Sequence, residues 1–367
     1  MILDELALTF VPELGSRGVA HLMEIYGSAE EVYAQKEHNL ILCAELRKDI
    51  AARIVQKRGY AEAEREMQYC EAQGIKVTSF NDVDYPPLLR EAADRPHVIY
   101  SMGNLEALQS QHILSVVGTR RISAYGESIC AKFIPALAEM FPDLVVVSGL
   151  AFGIDAAAHR AALAAGAKTV GVIANRLPDV TPAQHRNLAK DMLDNGGAII
   201  TELHSQSKQN GSYYIPRNRI IAGVAEGLLV VESPANGGSL STAKAADAYS
   251  RTIMAVPGRV TDSRSEGTNH LIKTNVAQLV TSAEDIAAAL GWEVAGAMPE
   301  KMHFAPHEIT PKERSVYNAI ADNSDGLTLD KIADKTAMSV SEVSAILLNM
   351  ELSGIVRQLP GKVYVIC

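Results

Sequence analysis

Between positions 76 and 282, short runs of β-branched and aliphatic residues recur: KVTSF, HVIYSMG, ILSVVG, LVVVSG, KTVGVIA, GAIITE, GLLVVES, TIMAVPG and AQLVTS. Most are apolar almost throughout, and segments with helical spacing separate them, as expected of strands buried on both faces. Such alternation predicts βαβ units and a mainly parallel sheet covered by helices. The first 65 residues differ: LALTFVPELG, GVAHLMEIY and AARIVQKRGYAEAEREMQYCEAQG place apolar residues three and four apart, which predicts a small helical domain. After Trp292, EVAGAMPEKMHFAPHEITP holds three prolines and little periodicity, and reads as a linker. SVYNAIAD, LTLDKIADKTA and SVSEVSAILLNMELSG then predict three helices, and VRQLPGKVYVI a hairpin turning at Pro360 and Gly361, the outline of a winged helix-turn-helix. The expected division is a helical domain over 1–65, an α/β core over 66–292, a linker over 293–308 and a winged helix over 309–367.

Composition narrows the class. A hydrophobic fraction of 47% with 21% charged residues over 367 positions excludes disordered, collagenous and coiled-coil chains. The four cysteines show no C-x-x-C spacing, which argues against a disulfide framework or a thiolate zinc site and suits a reducing, cytoplasmic setting. MILDELALTF carries acids where a signal peptide needs bases, and no stretch approaches 18 apolar residues, so neither secretion nor membrane insertion is expected. A net charge of −9 argues against a nucleic-acid partner until it is divided by region. Lys and Arg number eight against thirteen acids over 1–75, 19 against 20 over 76–292, and seven against ten over 293–367. The acid sits mostly at the two ends.

Three strand-to-helix loops carry candidate chemistry. SVVGTRRISAYG runs from a buried strand through Gly118 toward a helix bearing Arg120, where backbone N–H groups and a guanidinium together suit an anion. An ordinary tight turn with solvated arginines reads the same residues equally well. VVSGLAFGID has two glycines four apart, Gly149 and Gly153, before Asp155, which either caps the next helix or orients a neighbour. His159 shares that helix face and is expected to be a packing residue. VVESPANGGSLST ends a third strand in consecutive glycines beside Ser239 and Thr242, a pattern that favours an anion nest. In a doubly wound fold these loops converge on one crevice. Between the second and third loops, IPRNRIIAG places Arg217 and Arg219 at a helix start, where cations are unfavourable without an anion; snorkelling arginines are the alternative. Tyr213 and Tyr214 are candidates for stacking bases or for the core. No metal or nucleophile pattern emerges: His303 and His307 stand four apart in the expected linker, and G-x-S-x-G and H-E-x-x-H are absent.

In that order and spacing, SVVGTRRISAYG, VVSGLAFGIDAAAH, IPRNRIIAG, VVESPANGGSLSTA, AVPG and GTNHLIK resemble the DNA-processing protein A family, DprA or Smf, over nearly the whole chain. The resemblance implies a sterile-alpha-motif-like front, an extended Rossmann-like core and a winged-helix tail. It further implies a homodimer that binds single-stranded DNA, protects it and loads the RecA recombinase during natural transformation, without catalysis or a cofactor. Carried over residue by residue, the implied DNA contacts are Gly118, Thr119, Arg120, Gly149, Gly153, Arg217, Asn218, Arg219, Gly238 and Ser239. This chain departs from the family at Phe152, where a basic residue is usual. Further departures are Thr181 to His185, where Tyr-Pro-x-x-Asn is usual, and Ile215 before the Arg-Asn-Arg triplet. Phe152 is expected to be a stacking surface or a buried plug. Two rivals stand beside this reading. A lonely-guy-type phosphoribohydrolase needs a glutamate after its glycine loop, and here no carboxylate follows Gly238 before Asp247. A winged-helix transcription regulator would rest on the tail alone, which is acidic.

Overall fold

The computed structural model describes residues 2–208, 211–293, 310–321, 323, 326–352, 355–359 and 362–366. The expected linker beyond Glu293, with His303 and His307, and the expected turn at Pro360 and Gly361 lie outside them. The chain forms two compact units, Met1–Ala295 and Gly296–Cys367.

The nine apolar runs each become a strand: β1 (Lys76–Ser79), β2 (Val98–Gly103), β3 (Ile113–Val117), β4 (Val145–Ser148), β5 (Lys168–Val172), β6 (Ala198–Thr201), β7 (Gly227–Val230), β8 (Thr252–Ala255) and β9 (Gln278–Leu279). They form one sheet in the order β1-β2-β6-β5-β4-β3-β7-β8-β9. β3 to β9 pair in parallel, while β2 runs antiparallel to both β1 and β6. From β3 the chain winds one way through β4, β5 and β6, then returns to β3's other side and winds the opposite way through β7, β8 and β9. The reversal therefore falls between β3 and β7, and it opens a crevice at their carboxyl ends.

The helices before the sheet are α1 (Ile2–Thr9), α2 (Gly15–Tyr26), α3 (Ala29–Ala34), α4 (Glu37–Cys43), α5 (Lys48–Val55) and α6 (Tyr60–Gln73). Those among the strands are α7 (Pro87–Arg90), α8 (Ala124–Met140), α9 (Ile154–Ala164), α10 (Arg186–Asp194), α11 (Tyr214–Gly223), α12 (Ser239–Ala248), α13 (Glu266–Lys273) and α14 (Ala283–Leu290). Alternate residues of each strand feed opposite layers. Val145 and Val147 join Ile220 and Ile221 of α11 and Ala243 and Ala246 of α12. Val146 and Leu114 join Phe133 and Leu137 of α8, Ala158 and Ala162 of α9 and Ile286 of α14.

The helical front has a core of its own around Val19, Leu22, Val32, Leu40 and Ile54. α1 and α6, however, bury Leu6, Ala63 and Cys70 against Tyr100 of β2 and Ile199 of β6. α6 runs through position 65 until Gly74 adopts a left-handed conformation and ends it. Its Glu66 is fully buried and accepts hydrogen bonds from Ser205 N (2.8 Å) and Ser205 Oγ (2.5 Å), beyond β6. Front and sheet are therefore one unit, joined across the boundary expected at 65.

The second unit contains α15 (Pro311–Ala321), β10 (Leu327–Thr328), α16 (Leu329–Thr336), α17 (Val340–Leu352), β11 (Val356–Leu359) and β12 (Val363–Ile366). Its sheet runs β10-β12-β11 with antiparallel pairing, over a core of Val316, Ile320, Ile332, Val343, Leu347 and Val356. The helices and hairpin match the expected winged-helix outline; β10, two residues long, is too short to carry a period. Among the described residues no helix is long and apolar enough to cross a membrane.

Removing the Glu66 carboxylate strands the Ser205 donors in a buried site, at a cost of about 1–3 kcal/mol. Glu66→Ala should therefore lower the melting temperature of the intact chain. An unchanged melting temperature would show that the Glu66–Ser205 pair does not help to hold the front to the sheet.

Candidate functional site

The crevice at the reversal is a cavity of 290 Å³. The first loop contributes Gly118, Thr119 and Arg120; the second, Ala151 and Asp155; the third, Gly237, Gly238, Ser239 and Thr242; and the start of α11, Tyr214, Ile215, Arg217 and Asn218. Of the residues expected from the sequence, Gly118, Thr119, Arg120, Arg217, Asn218, Gly238 and Ser239 are brought together. Gly149, Gly153 and Arg219 do not line the cavity.

The first loop corrects one expectation. α8 starts at Ala124, not at Arg120, and Ser123 caps it by accepting from Gly126 N at 3.2 Å. An anion already sits at that helix start: the buried Glu232 carboxylate accepts from Ser123 N (3.0 Å) and Ser123 Oγ (2.5 Å). A Cβ at position 126 would overlap this carboxylate, so glycine is what admits it. The positive end of α8 is thus used internally. Arg120 stands free in the loop, exposed, with its guanidinium 4.9 Å from the centre of the Tyr214 ring. That distance is a cation–π contact which pre-orients the charge.

The second loop explains two glycines differently from the expectation of DNA contact. Gly153 has φ of 82°, and a Cβ there would overlap Thr119 O, while the neighbouring Ile154 N donates to that oxygen at 3.2 Å. Gly149 has no room for a side chain: a Cβ would stand 2.6 Å from Asp155 Oδ2 and 2.7 Å from the Arg217 guanidinium. Both glycines let loops close on each other. Arg217 is only 5% exposed, and its Nη1 donates to Gly149 O (2.8 Å) and to Val172 O. Burial pushes its pKa down to about 10, with the neighbouring Asp155 opposing the shift; near neutral pH the group keeps its charge. Burial likewise raises the Asp155 carboxyl, against the pull of Arg217. Asp155 accepts from Ala151 N at 3.4 Å, so it orients its surroundings rather than capping α9, whose N-cap is Gly153. Arg217 is therefore a structural cation at the crevice floor. Arg219 is also internal: it donates to both carboxylate oxygens of Glu202 (2.8 and 2.7 Å) and to Asp94 O (2.9 Å).

The third loop remains open. No side chain caps α12. Its first turn bonds Leu240 N to Gly237 O (3.1 Å) and Ser241 N to Gly238 O (3.2 Å). Among the described residues this leaves the Gly238 and Ser239 N–H groups for a ligand, at the positive end of the helix. Asn218 braces the turn by donating to Ser241 Oγ (2.9 Å) and Gly238 O (3.3 Å), and Ser239 Oγ donates to Ser233 Oγ (2.9 Å).

Two of the departures from the family pattern meet. Phe152 is 46% exposed, hence a surface and not a plug, and its ring lies edge-on to His185 at 4.9 Å. His185 is buried and held by Leu150 O at 2.9 Å from Nδ1. His159 is a packing residue. Thr169 Oγ1 gives its proton to Val146 O (2.7 Å) and accepts from His159 Nδ1 (2.6 Å), so Nε2 is a bare, buried acceptor. Burial pushes the His159 pKa down to about 3. No group of three or more His, Cys, Asp or Glu among the described residues can hold a metal ion.

Arg120→Ala should leave the melting temperature unchanged, whereas Arg217→Ala should cost about 3–5 kcal/mol, because it strands two buried carbonyls and a carboxylate. Thermal denaturation of the two variants separates a free cation from a structural one. For His159, the unfolded chain takes up a proton below about pH 6.5 and the folded chain does not until about pH 3, so falling pH favours unfolding in that window. Chemical denaturation at pH 7 and pH 5 should show a loss approaching about 1.4 kcal/mol per pH unit from this group, absent in His159→Gln.

Comparison with known proteins matches this architecture. The model of the family described as DNA recombination-mediator protein A matches residues 76–291, and that of the DprA winged helix domain matches residues 300–362. The chain is 36% identical to Protein Smf of Escherichia coli over 280 residues, 76% of this chain and 74% of that protein. It is 39% identical to DNA processing protein DprA of Streptococcus pneumoniae over 216 residues, 58% of this chain and 74% of that protein. The crystal structure of the S. pneumoniae protein superposes with a TM-score of 0.68 at 30% identity, covering 78% of this chain and 97% of that one. DNA processing protein A of Helicobacter pylori, a structure concerned with its single-stranded DNA binding mode, shares the fold with a TM-score of 0.52 at 23% identity, over 59% of this chain and 95% of that one. With its sheet reversal, loop order and winged unit all in place, this chain belongs to the DNA recombination-mediator protein A family, the DprA or Smf proteins.

Proposed function

We propose that the crevice binds single-stranded DNA through its phosphate backbone, with no chemical step, metal or cofactor. The protein would protect the strand and load RecA onto it during natural transformation, as a cytoplasmic homodimer. One observation carries the binding reading: the open start of α12, with the Gly238 and Ser239 N–H groups, shares a single crevice with the free Arg120 guanidinium over Tyr214. Backbone donors, a planar cation and an aromatic face are the groups that grip a phosphate and stack a base without reading sequence. A cavity of 290 Å³ suits a nucleotide, not a duplex. Asp155, the carboxylate lining the cavity, is already engaged by Ala151 N and Arg217, which supports binding over hydrolysis. The family and the single-stranded DNA theme of the H. pylori structure support the same reading.

Fluorescence anisotropy with single-stranded and duplex oligonucleotides should show tighter binding to the single strand; equal or tighter duplex binding would reject the reading. Arg120→Ala should weaken single-strand affinity by about 1–3 kcal/mol for all sequences alike, and Arg120→Lys should recover only part, since an ammonium lacks the planar fork. With Arg217 and Arg219 engaged internally, Arg120 is the free cation lining the crevice among the described residues. A short strand filling only this crevice should therefore show a log-affinity against log-salt slope of about −0.7. Light scattering of the DNA complex tests the dimer, and the rate of RecA filament assembly on the strand, with and without the protein, tests loading.

A further inference from the structure

Next to the crevice lies a second, larger groove of 660 Å³. Ile215 lines both, so the two cavities are contiguous. We propose, resting on the single-strand reading above, that a bound strand leaves the crevice over Ile215 and continues along α12, where Lys244 and Arg17 take its next phosphates. The helical front would then be part of the DNA track.

The wall of this groove is one face of α12. Ser241, Lys244, Ala245 and Ala248 recur at helical spacing and all line it. The small side chains of that face let a polymer lie close to the helix. From Ser241 to Ala248 the helix rises about 10 Å, length for about three stacked nucleotides at ~3.4 Å each. Ile215 is 69% exposed at the junction of the two cavities, an apolar side chain placed where a base leaving the crevice would pass.

The charges in the groove favour an anionic chain. Lys244 and Arg17 are exposed and have no ion pair among the described residues. The groove's carboxylates are each occupied. Glu91 pairs with Arg251 at 2.9 Å, and Asp94 accepts from the Tyr249 hydroxyl and pairs with Arg219. The two open charges are thus cationic, one on α12 and one on α2 of the front, whose overall excess is acidic.

The test uses the full chain and oligothymidine of two lengths, about two nucleotides, which stays within the crevice, and about sixteen, which reaches the groove. The double variant Arg17→Glu, Lys244→Glu should bind the long strand at least about ten-fold more weakly and lower its salt slope by about 1.4, leaving the short strand unaffected. Arg17→Gln, Lys244→Gln should give a smaller loss in the same pattern, and unchanged melting temperatures confirm folding. Equal loss at both lengths would reveal a general field effect, and no loss at either would place the strand elsewhere; both overturn the groove. Arg120→Ala serves as the separate control, because failure to weaken the short strand rejects the crevice reading itself and not the extension.

Discussion

A guanidinium buried beneath three loops holds this site together. A charge taken out of water is tolerated only where its donors are satisfied. Arg217 meets that demand by donating to carbonyls at the ends of neighbouring strands, Gly149 after β4 and Val172 in β5, beside Asp155. Because it belongs to α11, the same bonds fix where that helix starts. That start carries Tyr214, on which Arg120 rests, and Asn218, which braces the first turn of α12. The ligand-facing groups are therefore pre-set before any ligand arrives, and binding need not order them.

The same economy governs charge. Three features suited to anions converge here: two helix starts and a cluster of arginines. The protein fills part of this capacity itself, with Glu232 at α8 and Glu202 at Arg219. What stays open is the start of α12 and the cation of the first loop. An acidic protein can hold a phosphate chain on these terms, because its excess acid lies over 1–75 and 293–367 while the core is nearly balanced.

Phe152 and His185 are best considered together. Each touches the other. The second loop presents an aromatic surface at Phe152 whose inner edge is supported by a buried imidazole fixed to Leu150 O. Changes at the two positions should not add, since they share one contact.

Much of this molecule was legible along the chain. Apolar runs located all nine strands, and the order of three glycine loops within a parallel sheet implied one crevice, since period and punctuation depend on near neighbours. The burial of Arg217 was not expected, although a signal for it stood in the chain: it lies three and four residues before Ile220 and Ile221, on the core face of α11. Gly126, three residues after the capping Ser123, leaves the position where a capping box would carry its acid empty, a hint that one arrives from elsewhere. Which acid arrives was not readable. Glu232 lies 109 residues from Ser123, and Glu202 lies 17 before Arg219. Local sequence determined where the arginines would stand, although it placed the start of α8 too early. Only the folded sheet decided which of them the protein neutralises and which it leaves open, because the carboxylates come from other loops and their pairing depends on proximity that the chain acquires when β7 closes beside β3.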